Sequence, residues 1–258
     1  MKDGPMTGRL TGCTALVTGA SSGIGEATAL ALAEQGARVA VVARRGDRLA
    51  DLVAKIGAGG GEALAIEADV TGEPAAVDAV GRTVEHFGRL DILVNNAGVM
   101  LLGPTTTAST ADWRRMVDVN LMGLLYCTQA ALPHLLEAAE QEPRRVADLV
   151  NLSSIGGRTT RSGSQVYNAT KWGVVGLSES MRQELAGRHV RVSVIEPGAV
   201  RTELPDSNRP EIRSTILGRQ EGFDVLAPQD IADAIGYMVT RPRHVNVNEI
   251  MVRPTEIP

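Results

Sequence analysis

Tyr167 and Lys171 stand four residues apart in an apolar run, Val166 to Leu177, that reads as a helix. That spacing puts a phenol and an ammonium on one helical face, a turn apart. A phenol by itself is a poor proton donor or acceptor near neutral pH, with an ordinary pKa of about 10. A neighbouring cation favours the phenolate and draws that value down toward working pH. Facing a cleft, the pair is an acid–base device. Taken alone, the same spacing also describes a core tyrosine beside a solvated lysine, and the rest of the chain has to decide between the two.

The first fifty residues bear on that choice. Cys13 to Thr18 is a short apolar run, as expected of a buried strand, and it enters Gly19-Ala20-Ser21-Ser22-Gly23-Ile24-Gly25. Glu26 to Gln35, rich in Ala and Leu, reads as a helix closed by Gly36, and Arg38 to Ala43 as a second strand. A strand, a glycine-rich turn, a helix and a strand in about thirty residues is the βαβ unit of a dinucleotide-binding domain. Glycines let the backbone turn tightly and admit a pyrophosphate. The helix behind them offers free N–H groups and a partial positive charge. The spacing here is Gly-x-x-x-Gly-x-Gly, which departs from the commoner Gly-x-Gly-x-x-Gly. The second strand ends in Ala43-Arg44-Arg45. An NAD site would place Asp or Glu near that point to meet the ribose hydroxyls. Two guanidinium groups suit a phosphate instead, so the expected cofactor is NADP(H), with NAD(H) second.

The elements that must carry these residues follow in alternation. Helices are expected over 47–56, 73–87 (Pro74 in its first turn), 109–140 and 227–239. Pro133 should bend or break the long one. Strands are expected over 62–68, 91–94, 146–152, 190–195 and 245–252. Such alternation implies an α/β chain with a parallel sheet covered on both faces. No internal repeat or linker divides the 258 residues, a length suited to one large α/β domain spanning residues 1–258. Residues 201–224 hold Pro205, Pro210, many charges and little periodicity, and read as a mobile substrate loop.

Thr18 to Gly25, Asp69, Asn95-Asn96-Ala97-Gly98, Asn120, Ser154, Tyr167-x-x-x-Lys171, and Pro197-Gly198 with Thr202 together resemble the short-chain dehydrogenase/reductase family. The motifs are in family order and span residues 10 to about 253, with Ser154 thirteen before Tyr167. The resemblance implies a single-domain Rossmann fold, a doubly wound seven-stranded parallel sheet, usually assembled as a homotetramer or homodimer. It casts Tyr167 as general acid/base and Lys171 as the group that binds the nicotinamide ribose and lowers the tyrosine's pKa. Ser154 becomes the partner of the substrate oxygen, and Asn120 the residue holding a water in a proton relay. Cofactor contacts are implied at Gly19, Ser21, Ser22, Gly23, Ile24 and Gly25, at Arg44 and Arg45, and at Asp69 and Val70 near the adenine. Further contacts are implied at Asn96, Ala97 and Gly98, at Pro197, Gly198 and Val200, and at Thr202 near the carboxamide. The segments 96–104 and 249–255 look closest to NADP-dependent 3-hydroxy acid dehydrogenases and clavulanate-type aldehyde reductases. Arg158, Arg161 and Arg201 lie near the expected cleft and would suit a substrate carboxylate. A cofactor-binding sensor on the same fold is the competing reading. Such proteins usually lack the tyrosine, the lysine or both.

The resemblance implies a small carbonyl or alcohol substrate, and composition gives no reason to expect another kind of partner. A net charge of −4 and 3% aromatic residues give no reason to expect nucleic acid. Cys13 and Cys127, far apart and outside any CxxC, argue against a disulfide scaffold or zinc knuckle. His86, His134, His189 and His244 show no ligand spacing, so no metal is expected. Nothing in the sequence reads as a signal peptide or membrane span, and the expected location is cytoplasmic.

Overall fold

Apolar strands of four to eight residues alternate with helices from Thr14 to Val252. The first half of this computed structural model, which describes residues 8–256, runs β1 (Thr14–Thr18), α1 (Gly23–Glu34), β2 (Arg38–Ala43), α2 (Gly46–Ala58), β3 (Ala63–Glu67), α3 (Glu73–Phe87) and β4 (Ile92–Asn95). The second half runs α4 (Thr110–Val117), α5 (Leu124–Glu140), β5 (Ala147–Leu152), α6 (Gln165–Leu185), β6 (Val190–Pro197), α7 (Pro210–Gly218), α8 (Pro228–Val239) and β7 (Glu249–Val252). All seven strands pair in parallel in one sheet, ordered β3-β2-β1-β4-β5-β6-β7. This is a doubly wound Rossmann fold, as the alternation required. Connections leave β1 toward one edge and β4 toward the other, so a crevice opens between their carboxyl ends.

Each face of the sheet has its own core, and the period of two in a strand divides the residues between them. Ala15 and Val17 of β1 pack with Val39, Val41 and the apolar sides of α1, α2 and α8. Leu16, between them, packs with Ala40, Val42, α3 and α5 on the other face. The central strands are buried throughout, whereas edge strand β7 alternates exposed and half-buried residues. Ala27, Ala31 and Ala232 form a small cluster where α1 meets α8; side chains of that size let the helices approach closely.

Three segments differ from expectation. The long helix is interrupted at Asp118–Gly123, which forms a π-helical turn, and α5 continues without a break through Pro133. The interruption has a tertiary cause. Asn120 is held by the backbone of Val99, and Gly123 packs on Val70, so one turn of helix is stretched to meet them. The last strand begins at Glu249 instead of 245, because Val245 is taken into a turn with Pro242. Residues 201–224 are not structureless. They contain a 3₁₀ turn, Leu204–Ser207, and α7, whose Pro210 sits in its first turn where a missing N–H does no harm. The base of this excursion is stitched shut by Arg201 N donating to Leu226 O (2.9 Å) and Leu226 N to Ala199 O (3.0 Å).

Candidate active site

The glycines of the first turn are needed for two different reasons. Gly19 and Gly23 have φ of +66° and +58°, the left-handed region that side chains disfavour. Gly25 has ordinary φ but no room: a Cβ there would lie 2.4 Å from both Asn96 Nδ2 and Gly19 O. This explains the unusual spacing. Two glycines turn the chain, and the third lets α1 press against the turn. Asn96 closes the arrangement, donating from Nδ2 to Thr18 O (2.8 Å) and Gly19 O (3.1 Å). Ser22, the residue that precedes α1, makes no side-chain cap hydrogen bond, so the first N–H groups of the helix have no capping oxygen.

At the other end of the crevice, the loop after β5 is fastened to α6. Asn168 Nδ2 donates to Gly156 O (2.8 Å), and Ser153 Oγ to Lys171 O (2.9 Å). These ties set Ser154 opposite Tyr167. The Ser154 Oγ accepts from Gly156 N at 3.0 Å, which leaves its own proton to donate elsewhere. Tyr167 is buried against Val99 and Met116, with Met100, Leu101 and Trp113 around them. Lys171 is buried too. Its Nζ donates to Leu152 O at 2.8 Å and lies 5.9 Å from the centre of the Tyr167 ring.

Burial rules the titration of this pair. It raises the Tyr167 pKa above the ordinary phenol value, and the Ser154 hydroxyl pulls it back only in part. Burial also lowers Lys171 to about 8. In the protein by itself, then, burial sets the direction at Tyr167. The ammonium stands beside the ring face and is itself easily discharged.

Both ends open into one cavity of about 380 Å³ at the carboxyl edge of the sheet. Its lining includes Ser21, Ser22, Ile24, Arg44, Arg45, Asp69, Val70, Ala97, Gly98, Ser154, Tyr167, Lys171, Pro197, Gly198, Val200 and Thr202. Gly25 and Asn120 stand behind its wall. Asn120 Oδ1 accepts from Val99 N (2.8 Å), while Nδ2 donates to Val99 O (3.0 Å) and Thr170 Oγ1 (3.1 Å). The Asn120 carboxamide is fully engaged, so a water would be held by its backbone. The N–H of Leu124 bonds Leu121 O instead of Asn120 O, consistent with that. Asp69 accepts from Thr71 N and Oγ1 in a tight turn.

Of the arginines expected near a substrate, Arg158 is engaged elsewhere. It bonds Glu196 at 2.7 Å and pairs with Glu249 on β7. Arg161 and Arg201 are exposed, and neither lines this cavity. Arg115 and Glu203 do line it and carry no signal in the sequence, where a lone charge on a polar helix face or in a charged loop reads as solvated. Among the described residues no group of three or more His, Cys, Asp or Glu is arranged to hold a metal, and no helix is long and apolar enough to cross a membrane.

The profile of the short chain dehydrogenase family matches residues 13–213. The chain belongs to that family. An uncharacterized oxidoreductase of Staphylococcus aureus (strain N315) is 38% identical over 245 residues, 95% of this chain and 98% of its own. A serine dehydrogenase solved in a closed form with NADP+ superposes with a TM-score of 0.85 at 33% identity, covering 93% of this chain and 94% of its own. A metagenomic short-chain oxidoreductase in complex with NADP gives 0.80 at 33%, covering 96% and 99%.

Proposed function

We propose that this chain is an NADP(H)-dependent oxidoreductase acting on the carbonyl or alcohol carbon of a small substrate, with Tyr167 as general acid/base. The observation that carries the reading is the meeting, in one cavity, of an uncapped glycine turn with a Tyr167–Ser154 pair whose serine proton is free to donate. When bound, a nicotinamide supplies or accepts the hydride. In the reducing direction Tyr167 gives its proton to the carbonyl oxygen. Ser154 donates a hydrogen bond to the same oxygen, stabilising the charge that develops there. Lys171, held by Leu152 O, stands where it can bond a ribose and restore the tyrosine's proton. The Asn120 backbone holds the water that links Lys171 to solvent.

The residues fit a phosphorylated dinucleotide. A Cβ would close the turn at Gly19 and Gly25. No acidic side chain follows β2 until Asp47, and Arg44 and Arg45 stand at the cavity mouth. The NADP in related solved structures supports the same choice. The Leu204–Ser207 turn, which contributes Leu204 and Ser207 to the lining, is the part of 201–224 we assign to substrate. Exposed Trp172, Val117 and Leu125 on α6, α4 and α5 support assembly as a homotetramer or homodimer.

Serine is a 3-hydroxy acid, so the neighbour's name keeps that subgroup in view beside aldehyde reduction. With Arg158 engaged by Glu196 and Glu249, a substrate carboxylate would need another partner. The deciding experiment is a panel of aldehydes, ketones and 3-hydroxy acids followed by NADPH absorbance in both directions. Turnover of one class is the expected result. Tight NADPH binding with no turnover across the panel would favour the sensor.

A further inference from the structure

Glu203 sits where a ligand anion would be expected. Its Oε2 accepts from Arg45 Nη1 at 2.8 Å and its Oε1 from Arg48 Nη1 at 2.6 Å, so each oxygen has its own guanidinium. Arg45 also donates to Ser21 Oγ (2.9 Å) and Ser22 Oγ (2.8 Å), hydroxyls of the glycine turn. Two arginines converging on a carboxylate, one of them braced by two serine hydroxyls, form the kind of site that takes a phosphate monoester. Glu203 fills it from within the chain.

The chain beyond Glu203 gives this occupancy a consequence. Five residues on, Asn208 is buried and clasps the loop before α4. It accepts from Leu102 N (2.7 Å) and donates to Met100 O (2.8 Å). The Leu204–Ser207 turn is thus suspended between a surface ion pair and a buried amide clasp. The two anchors differ in kind. The Glu203, Arg45 and Arg48 side chains are 41–45% exposed, and ion pairs that exposed exchange readily. The Asn208 side chain, by contrast, is buried.

We propose that Glu203 is a built-in competitor for the cofactor's 2′-phosphate at Arg45 and Arg48, and that its displacement frees the Leu204–Ser207 turn to adjust around the substrate. The inference rests on the NADP(H) reading. It makes Arg48 a phosphate-binding residue and Glu203 the residue that sets how strongly the phosphorylated cofactor is preferred. It also links the adenosine end of the cavity to the substrate end through a five-residue span.

Adenosine 2′,5′-bisphosphate and 5′-AMP, titrated calorimetrically, differ only in the 2′-phosphate and need no turnover. The bisphosphate should bind the natural chain more tightly than AMP. Glu203→Gln should tighten the bisphosphate about tenfold and Arg48→Leu weaken it about tenfold, both leaving AMP unchanged. Hydrogen exchange at residues 204–207 should quicken when the bisphosphate is added, not with AMP, and should already be quick in Glu203→Gln. Equal binding of the two nucleotides by the natural chain would defeat the NADP(H) reading itself. A preference for the bisphosphate that Glu203→Gln leaves unimproved would defeat the competitor alone. Unchanged exchange on displacement would defeat the link to the turn.

Discussion

The two ends of the sheet differ in how their central buried groups are partnered. At the amino ends of the strands, the buried carboxylates Asp91 and Asp148 are both answered. Asp91 accepts from Arg89 Nη2 and Nε (2.6 and 2.9 Å) and from the backbone N–H of Thr14 (2.8 Å). Asp148 is gripped by Arg191 at 2.7 and 2.9 Å and by Arg144 at 2.7 Å. Arg191 then donates onward to the carbonyls of Val239, Arg241 and Val245, finishing the end of α8. At the carboxyl ends, by contrast, the helix start is uncapped, Tyr167 and Lys171 have no charged partner among the described residues, and Tyr167 is met only by the neutral Ser154 hydroxyl. A buried polar group without a partner costs free energy, so the first end stabilises the fold that allows the second to stay reactive.

The contrast can be broken at either end. Tyr167→Phe should cut kcat by about 10²–10⁴-fold, the usual contribution of a positioned acid or base, with NADPH affinity and melting temperature unchanged. Turnover near that of the natural chain would remove Tyr167 from the mechanism. Asp148→Ala should do the reverse. It strands two buried guanidinium groups and should lower stability by about 3–5 kcal/mol in urea denaturation, with kcat/KM intact where the protein stays folded. A loss under about 1 kcal/mol would mean the network is not what holds α8 to the sheet. Gly25→Ala falls between the two ends in kind. The added methyl meets Gly19 O and Asn96, and the crowding should cost about 1–3 kcal/mol and weaken nucleotide binding together. Separation of the two effects would show that the turn binds without its packing.

The reactive end is easier to read in the sequence than the supporting one. Gly19 to Gly25, Ser154 and the Tyr167–Lys171 pair are local patterns whose residue types imply their chemistry. Asp148 and Arg191 are forty-three residues apart, and only the parallel register of β5 with β6 sets them side by side. The π turn at Asp118–Gly123 is hidden for the same reason. Nothing local forbids a regular helix there, and the force that distorts it comes from Val99 across the fold. Arg158 shows the limit in the other direction. Its place near the cleft is legible; its two glutamate partners, on β6 and β7, are not.

Cofactor choice offers a milder test of the open end. Arg44→Asp with Arg45→Ala should move the NADPH/NADH ratio of kcat/KM toward NADH by one to two orders of magnitude, roughly 1.4 kcal/mol for each. An unchanged ratio would take the preference away from these two residues.

The last test sharpens the comparison most, because it reads Lys171 without any turnover. Folding lowers its pKa from 10.5 to about 8 through burial alone. Between those values the unfolded chain holds a proton that the folded chain has released, so this residue makes stability rise with pH across that window. Tyr167 works oppositely at higher pH. Its raised value lets the folded chain keep a proton the unfolded one loses above about 10. In urea denaturation from about pH 7 to 9.5, subtracting a Lys171→Met variant isolates the lysine from Cys13 and Cys127, whose buried thiols titrate with the opposite sign. The stability of the natural chain minus that of Lys171→Met should climb through this range. A flat difference would mean that Lys171 keeps its charge in the folded protein, and that the carboxyl end of the sheet has a charge partner for it after all.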